Sequence, residues 1–495
     1  MAAPESMNSM NLLDPAAWQG RVHESGEWRV PLGGARDVTE PATGECLTST
    51  GTADAADMAR AIGGAAAAQA GWAALPPRER AAVFHRAAAI FQQHFDELAL
   101  FITRETGAIL PKGQHEVREA VTLCQIAAGL PLAAQGQVLP SVPGRLSLAR
   151  RVPHGVVGVI SPFNFPLILG LRSVAPALAL GNAVVLKPDT RTPVSGGFIM
   201  ARVFEAAGLP AGVLQVLPGD APAGEALVSD RRVPMIAFTG SPAVGRRIGE
   251  LAGRHLKKVS LELGGANSLI ILDDADPDLA ASNAAWGAWL HQGQICMASN
   301  RILVHEAIFG AIKERLVAKA LHLPVGDGAR GSVALGPMID AKQLQHVHAM
   351  VHDSVAAGAK LEAGGTHEGL FYKPTVLSNV KPGMRVFNEE TFGPVANLIV
   401  FRTDDEAVEL ANDSQGGLAA AVIGKSLGRA MAIGQRLKAG MVHINDQTIN
   451  DDCVNPFGGP GIGGNGGSVG GPADIDAYTQ WQWLTVKDTP PQFPF

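Results

Sequence analysis

Short apolar strands alternate with helical segments from residue 153 onward, and this alternation constrains the fold more than any other feature. The predicted strands are Val156–Ile160, Ala183–Leu186, Val213–Leu217 and Met235–Phe238, and the predicted helices are Pro166–Leu180, Ser195–Ala207 and Ala223–Val228. Continuous apolar strands joined by helices are typical of a parallel sheet covered on both faces. The sequence therefore predicts an α/β fold.

The alternation restarts after Gly265, which predicts a second α/β unit. Its predicted strands are Ser268–Leu272 and Ile302–Val304, and its predicted helices are Leu279–Trp289 and Ala307–Leu321. The two units meet near residues 262–268. Before them, the apolar spacing predicts an alanine-rich helix over residues 53–75 and an amphipathic helix over residues 77–105.

The composition excludes several classes of protein. The net charge of −6 gives no basic surplus that would mark a nucleic acid or an anionic membrane as a partner. No CxxC spacing joins the four cysteines, so we expect neither a disulfide framework nor a metal site. Residues 1–14 do not resemble a signal peptide, and the longest apolar stretch, residues 165–186, is too interrupted to span a membrane. We expect a cytoplasmic protein.

Two glycine-bearing turns present one thiol and one carboxylate. Cys296 lies in a polar turn that leads into the apolar run Ile302–Val304, and Glu262 lies among apolar residues and glycines in Leu261–Asn267. Covalent catalysis with a separate general base needs these two groups. A free cysteine is more often a small buried apolar residue, and Glu262 could pair with a neighbouring lysine. The two residues alone therefore leave catalysis and structure as alternatives.

Two glycine patterns are candidates for binding phosphate. Residues 237–245 form a strand, a glycine turn and a helix start, where Ser241 suits the cap and Pro242 the first helical position. Free N–H groups at such a start can bind phosphate, although an ordinary capped turn has the same sequence features. The G-x-G-x-x-G pattern at residues 459–464 has no strand before it, so we interpret it as a flexible loop.

Two segments with alternating apolar and polar residues predict exposed strands. One covers residues 137–151, and the other is Trp481–Val486 near the C-terminus. Exposed strand edges are usually covered by another chain or element. We therefore expect a homo-oligomer.

Seven segments resemble the aldehyde dehydrogenase superfamily, in that family's order and close to its spacing, across nearly the whole chain. They are Pro162–Pro166, Lys187-Pro188, Phe238–Ser241 with Val244-Gly245, Glu262–Gly265, Gly293–Cys296, Glu390–Pro394 and Pro456–Gly459. Within the superfamily, the chain is most similar to benzaldehyde and vanillin dehydrogenases. Segments that carry this narrower resemblance are Trp18–Gly20, Lys187–Pro193, Ile295–Arg301, His443–Asp446 and Trp481–Trp483.

The resemblance implies a particular architecture. It consists of a Rossmann-type parallel-sheet cofactor domain, an α/β catalytic domain and a small β element for oligomerisation, giving a homodimer or homotetramer. The implied boundaries are residues 1–136 and 152–262 for the NAD(P)-binding domain, 263–457 for the catalytic domain, and 137–151 with 475–495 for the oligomerisation strands.

The resemblance also implies an activity: oxidation of an aromatic, benzaldehyde-like aldehyde to the carboxylic acid with NAD(P)+. Cys296 would be the nucleophile and would form a thiohemiacetal and then a thioester. The Asn164 amide and the Cys296 N–H would hold the oxyanion, and Glu262 would activate water. The alternatives are an aliphatic or semialdehyde dehydrogenase of the same superfamily, a coenzyme-A-acylating relative, which would generally lack Glu262, and a non-catalytic protein on the same fold.

Cofactor contacts are implied by the same matching. Ser241 and the helix that follows it would bind the pyrophosphate, Lys187 the adenine-side ribose, and Glu390 the nicotinamide ribose, with Phe392 near the nicotinamide. The other implied contacts are Ser161, Pro162, Phe163, Thr190, Thr239, Gly240, Val244, Gly245 and Leu263.

Two departures from the family pattern affect these expectations. Relatives with firm NAD preference often carry a glutamate three residues after the lysine, where this chain has Thr190, and Arg191 beside it could attract a 2′-phosphate. We expect NAD, with NADP possible. The second departure is the glycine tract at residues 458–471, whose mobility could alter either substrate entry or a subunit contact. Candidates for the substrate channel are Phe163, Trp286, Ile295, Met297 and Phe457, and Arg172 is expected to face the channel or a subunit contact.

Overall fold

Two seven-stranded sheets dominate the computed structural model, which describes residues 11–413 and 417–495. The N-terminal part precedes the first run of parallel strands. Its elements are α1 (Pro15–Trp18), β1 (Val22–Glu24), β2 (Glu27–Arg29), β3 (Ala35–Thr39), β4 (Cys46–Gly51), α2 (Ala55–Ala74), α3 (Pro77–Gln93), α4 (Phe95–Thr106), α5 (Leu110–Gly129), β5 (Gly136–Val138) and β6 (Leu146–Pro153).

The first sheet has the order β11-β10-β7-β8-β9-β1-β2. Its parallel part comprises β7 (Val156–Ile160), α6 (Pro166–Ala179), β8 (Ala183–Lys187), α7 (Ile199–Ala206), β9 (Leu214–Val216), α8 (Ala221–Ser229), β10 (Met235–Gly240), α9 (Pro242–Arg254) and β11 (Lys258–Leu263). The chain moves outward from β7 to β9 and then crosses to β10 on the other side of β7. Such a reversal is where open α/β sheets bind their ligands.

The second sheet has the order β14-β17-β18-β13-β12-β19-β20 and is parallel except at β14. Its elements, with those between them, are β12 (Ser268–Ile271), α10 (Pro277–Trp289), β13 (Arg301–His305), α11 (Phe309–His322), α12 (Ala341–Ala356), β14 (Lys360–Ala363), β15 (His367–Glu368), β16 (Phe371–Tyr372), β17 (Thr375–Ser378), α13 (Arg385–Asn388), β18 (Val395–Phe401), α14 (Asp404–Asn412), β19 (Gly417–Ile423), α15 (Leu427–Gly434) and β20 (Ala439–Ile444). The predicted second α/β unit is therefore present.

A small antiparallel sheet joins two distant parts of the chain. The last elements are α16 (Ala473–Tyr478) and β21 (Thr479–Val486), and β21 pairs along its full length with β6, which also pairs with β5. The two segments predicted as exposed strands thus lie in one three-stranded sheet.

Two helix predictions need correction. The helix predicted over residues 77–105 is interrupted at His94, which ends α3 and precedes α4. The helix predicted over Ser195–Ala207 begins instead with a π-helical turn at Val194–Phe198, and the regular helix follows as α7. In that turn the buried Glu105 accepts hydrogen bonds from the N–H groups of Val194 and Ser195, at 3.0 and 2.7 Å.

Apolar side chains pack on both faces of both large sheets. The central strand β7 is typical, because Val156, Val157 and Val159 are all almost fully buried. This burial explains the uninterrupted apolar strands of the sequence. Within residues 11–413 and 417–495, no helix is long and apolar enough to cross a membrane.

Candidate active site

Cys296 follows a tightly held turn of unusual backbone geometry. His291 and Gln292 are buried non-glycine residues with φ values of 47° and 56°. The Gln292 amide donates to the carbonyls of Gly107 and Pro337 at 2.9 and 2.7 Å. Left-handed backbone at non-glycine residues is strained and is concentrated at functional sites. Cys296 itself is partly exposed, whereas its neighbour Ile295 is buried.

Gly293 is required by this turn for two reasons. Its φ is +67°, and a Cβ at this position would overlap the carbonyl group of Gly393. Only glycine adopts such a conformation without strain and allows the two backbones to approach so closely. The close approach brings the cysteine turn against the segment that carries Glu390 and Phe392.

Asn164 lies directly beside the cysteine turn. Its buried side-chain amide donates to the carbonyl of Gln294 at 2.9 Å. An amide NH₂ has two donors, so this bond fixes the group and leaves a second N–H. On the other side, the Asn267 amide donates to the carbonyl of Cys296 at 2.7 Å. The structure therefore brings the predicted oxyanion donor and the predicted nucleophile together.

Glu262 lies near the end of β11 and is 5% exposed. One carboxylate oxygen accepts from the Ser260 hydroxyl at 3.3 Å, and the other has no partner in the described part of the chain. Burial raises the pKa of Glu262 to about 8, against the opposing effects of Ser260 and Arg172. The lysine ion pairs considered from sequence are not formed, because Lys257 and Lys258 donate to backbone carbonyls elsewhere. Glu262 thus has the raised pKa expected of a base that works near neutral pH.

Burial and nearby carboxylates disfavour ionisation of the Cys296 thiol. Burial raises its pKa, and the carboxylates of Glu390, Asp451 and Glu262 raise it further. A thiol with a raised pKa needs a base or a fixed dipole to become a nucleophile.

The predicted phosphate-binding turn lies at the sheet's reversal point, between the carboxyl ends of β7 and β10. Ser241 occupies the N-cap position of α9, but its side chain makes no capping hydrogen bond. Val244 in the first turn is 48% exposed. After β7, the buried Ser161 hydroxyl has no partner among the described residues, and Pro162 follows it. A bound pyrophosphate could accept hydrogen bonds from the free N–H groups at this helix start and from the unpaired Ser161 hydroxyl.

Packing also requires small residues at the end of β10 and in the first turn of α9. A Cβ on Gly240 would lie 2.6 Å from the Phe238 ring, and a Cβ on Gly245 would lie 2.5 Å from Leu263. Thr239 is half-buried beside Gly240. Glycine at position 245 therefore allows α9 to pack closely on Leu263 of β11, and glycine at position 240 leaves room for the Phe238 ring of its own strand, β10.

Lys187 is the last residue of β8, and Thr190 follows it at the carboxyl end of that strand. Burial lowers the pKa of Lys187, while Asp189 and Asp220 oppose this effect. Arg191 forms ion pairs with Asp189 at 2.8 Å and Asp340 at 3.0 Å. From the sequence, the Arg191 guanidinium was expected to attract a 2′-phosphate. Because two carboxylates neutralise it, the structure favours NAD over NADP.

Glu390 and Phe392 meet the predicted cofactor side from the second sheet. The Glu390 carboxylate lies against Gly264, where a Cβ would overlap it, and one of its oxygens has no partner in the described chain. Burial raises the pKa of Glu390 to about 8, opposed by the N–H of Gly265. Phe392 has a φ of 49°, and its ring centroid is 5.9 Å from that of Phe163. An unpaired buried carboxylate is a group that a ligand hydroxyl can satisfy.

The five candidates for the substrate channel separate into different environments. Phe163 packs beneath the Arg191 guanidinium at 4.0 Å and therefore belongs to the predicted cofactor side. Trp286 on α10 is 53% exposed. The three others, which are buried in the core beside the cysteine turn or Arg172, are Ile295, Met297 and Phe457.

Arg172 is buried within the subunit, so the expectation of a subunit contact is wrong for this residue. It forms an ion pair with Asp451 at 2.8 Å, and its guanidinium lies 5.0 Å from the centre of the Phe457 ring. Sequence reasoning missed Asp451, because no local pattern links it to a residue 279 positions earlier. The described residues contain no cluster of three or more His, Cys, Asp or Glu that could hold a metal ion.

Comparison with known proteins identifies the family to which the chain belongs. The sequence profile of the aldehyde dehydrogenase family matches residues 28–484. The chain belongs to the aldehyde dehydrogenase family. Its fold agrees, since a betaine aldehyde dehydrogenase from Staphylococcus aureus solved with NAD+ superposes with a TM-score of 0.93 at 30% identity, covering 99% of this chain and 98% of that one. The α/β fold class expected from the sequence is confirmed.

Two curated aldehyde dehydrogenases narrow the comparison. A vanillin dehydrogenase of an Amycolatopsis species is 52% identical over 98% of this chain and 100% of its own length. A benzaldehyde dehydrogenase [NAD(+)] of Pseudomonas putida is 50% identical over 97% of this chain and 98% of its own. The resemblance to benzaldehyde and vanillin dehydrogenases stated from sequence segments is therefore confirmed over nearly the full chain.

Proposed function

We propose that this aldehyde dehydrogenase oxidises an aromatic aldehyde of the benzaldehyde type to the carboxylic acid, with NAD as the hydride acceptor. One observation carries the chemistry: the Asn164 amide is fixed to the carbonyl of Gln294, two residues before Cys296, at 2.9 Å. The substrate class rests on relatives named vanillin and benzaldehyde dehydrogenase at about 50% identity. NAD is supported by the second name and by the ion pairs that neutralise Arg191.

The proposed mechanism begins with loss of the Cys296 thiol proton to solvent and attack of the sulfur on the carbonyl carbon. The second Asn164 N–H and the backbone N–H of Cys296 stabilise the oxyanion, and losing one such donor typically costs about 3–4 kcal/mol in the transition state. Bound NAD supplies the acceptor for the hydride that leaves the carbonyl carbon. The acyl group then remains on sulfur as a thioester. Ionised Glu262 takes a proton from water as the water oxygen attacks the thioester. The C–S bond then breaks, the acid is released, and Glu262 gives the proton to the departing sulfur.

Cofactor residues are proposed by position. Ser161, Pro162, Ser241 and the first turn of α9, with Val244 and Gly245, flank the pyrophosphate. Lys187 and Thr190 lie toward the adenine-side ribose. The residues proposed for the nicotinamide side are Phe163, Thr239, Gly240, Leu263, Glu390 and Phe392.

We also propose a homodimer or homotetramer in a reducing, cytoplasmic compartment. The sheet β21-β6-β5 has open edges within the described chain, and its tryptophans Trp481 and Trp483 are 53% and 67% exposed. Exposed apolar strands of this kind are usually covered by a partner. The four cysteines are free thiols, which fits a reducing compartment.

A specificity panel tests the function. The purified enzyme is mixed with benzaldehyde, vanillin, a short aliphatic aldehyde or succinic semialdehyde, each with NAD and with NADP, and reduced cofactor is followed by absorbance. We expect the aromatic aldehydes with NAD to give the highest kcat/KM. Turnover confined to the aliphatic aldehyde or the semialdehyde would replace the substrate assignment. Release of the acid without coenzyme A would separate this enzyme from the acylating relatives.

A further inference from the structure

A buried carboxylate from α5 holds the start of the helix that follows Asn164. Glu116 is fully buried, and one of its oxygens accepts hydrogen bonds from the N–H groups of Leu167 and Ile168, at 2.9 and 3.2 Å. These N–H groups belong to the first turn of α6. Charge-assisted hydrogen bonds to a helix start are among the stronger polar contacts in proteins. Glu116 thereby fixes the backbone immediately after Asn164.

A second set of contacts connects the Glu116 carboxylate to the cysteine turn. Its other oxygen pairs with the buried ammonium of Lys112, one helical turn earlier on α5. That ammonium lies 4.7 Å from the centre of the Phe165 ring, and the Phe165 ring meets the His291 ring at 5.3 Å. His291 begins the strained turn that ends at Cys296. A continuous chain of contacts therefore links α5 to both segments of the proposed oxyanion site.

We propose that Lys112 and Glu116 are positioning residues that hold the Asn164 amide at a fixed position relative to Cys296. This inference rests on the oxyanion role proposed for Asn164. A buried ion pair contributes little net stability compared with apolar residues of the same size, so fold stability does not explain why this pair is present. Precise positioning of the Asn164 donor does explain it, because a displacement of about 1 Å can lower a rate about a hundredfold.

Two double variants separate positioning from stability. K112M/E116Q removes both charges but keeps an oxygen that accepts from Leu167 and Ile168. K112M/E116M removes the charges and that acceptor. Neither variant leaves an unpaired buried charge, so both are expected to fold. We expect K112M/E116Q to stay within about threefold of the wild-type rate for the first turnover of reduced cofactor, and K112M/E116M to lose about tenfold to a hundredfold, with KM for NAD unchanged.

The decisive measurement repeats both variants in an Asn164→Ala background. If Lys112 and Glu116 act through Asn164, the difference between the two double variants disappears there, to within about twofold. A difference that persists in this background, or a wild-type rate in K112M/E116M, overturns the inference. If Asn164→Ala alone leaves the first turnover unchanged, the oxyanion role proposed for Asn164 is wrong. Thermal unfolding and NAD binding of each variant confirm that the comparison is made between folded enzymes.

Discussion

Glu262, the proposed general base, is the residue whose environment we expect to set how the enzyme responds to pH. It is nearly fully buried, one oxygen lacks a partner among the described residues, and burial raises its pKa to about 8. Below that pH the carboxyl group is mostly protonated and cannot accept a proton from water. Above it, the ionised base accumulates, so thioester hydrolysis should accelerate as pH rises.

The first prediction concerns that pH profile. When hydrolysis limits turnover, kcat for benzaldehyde should rise through about pH 8 and then level off, because the fraction of ionised Glu262 increases. Steady-state kcat measured from pH 6 to 10 checks this. Glu262→Gln should remove the inflection. A wild-type profile without an inflection between pH 7 and 9 would assign the limiting step to a different group.

The second prediction separates the two proposed catalytic residues by the step at which the reaction stops. Glu262→Gln should still give a burst of reduced cofactor close to one per active site, followed by a steady rate lowered at least about a hundredfold. Cys296→Ser should give no burst and a rate lowered about a thousandfold or more. Stopped-flow absorbance measures both, and NAD binding serves as the control. If Glu262→Gln also lacks the burst, Glu262 acts before hydride transfer, in activating the thiol.

The third prediction concerns cofactor choice at Thr190. A carboxylate there can accept hydrogen bonds from the ribose hydroxyls and repel a 2′-phosphate, as acidic residues do in other dinucleotide sites. Thr190→Glu should therefore raise the NAD-to-NADP ratio of kcat/KM about tenfold or more, mainly through KM for NADP. Thr190→Gln, which lacks the charge, is the matched control. Equal ratios in the two variants would place Thr190 away from the ribose.

At the scale of the elements, sequence patterns predicted the strands better than the helices. The strand predicted over Val156–Ile160 has those bounds, because parallel central strands are apolar throughout and end at polar residues. The break at His94 could not be predicted, since apolar spacing continues across it without glycine or proline. The π-helical turn Val194–Phe198 also escaped prediction. Its N–H groups bind Glu105, which lies 89 residues earlier.

In the candidate site, too, residues that meet only in the folded chain could not be predicted from local sequence. Cys296 and Glu262 could be recognised because each lies in a distinctive local segment. Glu116 could not, because its partners Leu167 and Ile168 come together with it only in the folded chain. Local motifs therefore indicate candidates for the reacting groups, whereas candidates for positioning them are found only through tertiary contacts.

The fourth prediction concerns the start of α2, where Asp54 and Asp57 form a capping box. Asp57 is fully buried, accepts from the N–H groups of Leu32 and Gly33, and pairs with Arg60 at 2.7 Å. Asp57→Ala should lower the free energy of unfolding by about 2–4 kcal/mol, because several donors lose their acceptor. Asp54→Ala, which removes a more exposed cap, should cost about 1 kcal/mol. Urea denaturation compares them.

The pH dependence of this cap has a definite sign. Burial alone would raise the pKa of Asp57, but Arg60 and three backbone N–H groups together lower it below its ordinary value. A carboxyl group whose pKa is lower in the folded state stabilises the fold above its unfolded pKa and loses that effect as pH falls. The difference in unfolding free energy between wild type and Asp57→Ala should therefore shrink below about pH 4. A difference independent of pH would show that the carboxylate's charge is not what stabilises α2.

At the scale of the whole molecule, the glycine tract joins the two large sheets beside Glu262. It was predicted as a flexible loop, but the structure packs it tightly. Gly464 forms a backbone bridge to Glu262 of the first sheet, and a Cβ on Gly459 or Gly463 would collide with backbone atoms of Gly417 or Leu418 in the second. The glycines are thus needed for close contact between backbones, and the tract lies between β11 and β19 beside the proposed general base.

The last prediction concerns assembly through the small sheet. Trp481 and Trp483 lie on one face of β21, two residues apart, and both side chains are more than half exposed. Their burial by a second subunit would remove a large apolar surface from water, and a charge placed there would oppose it. Trp483→Lys should therefore shift the mass measured by light scattering from the oligomer toward the monomer at micromolar concentration. Leu321→Lys on α11, which replaces a side chain of similar exposure, is the matched control and should keep the wild-type mass. An unchanged mass for Trp483→Lys would mean that the subunits, if they associate, meet through another surface.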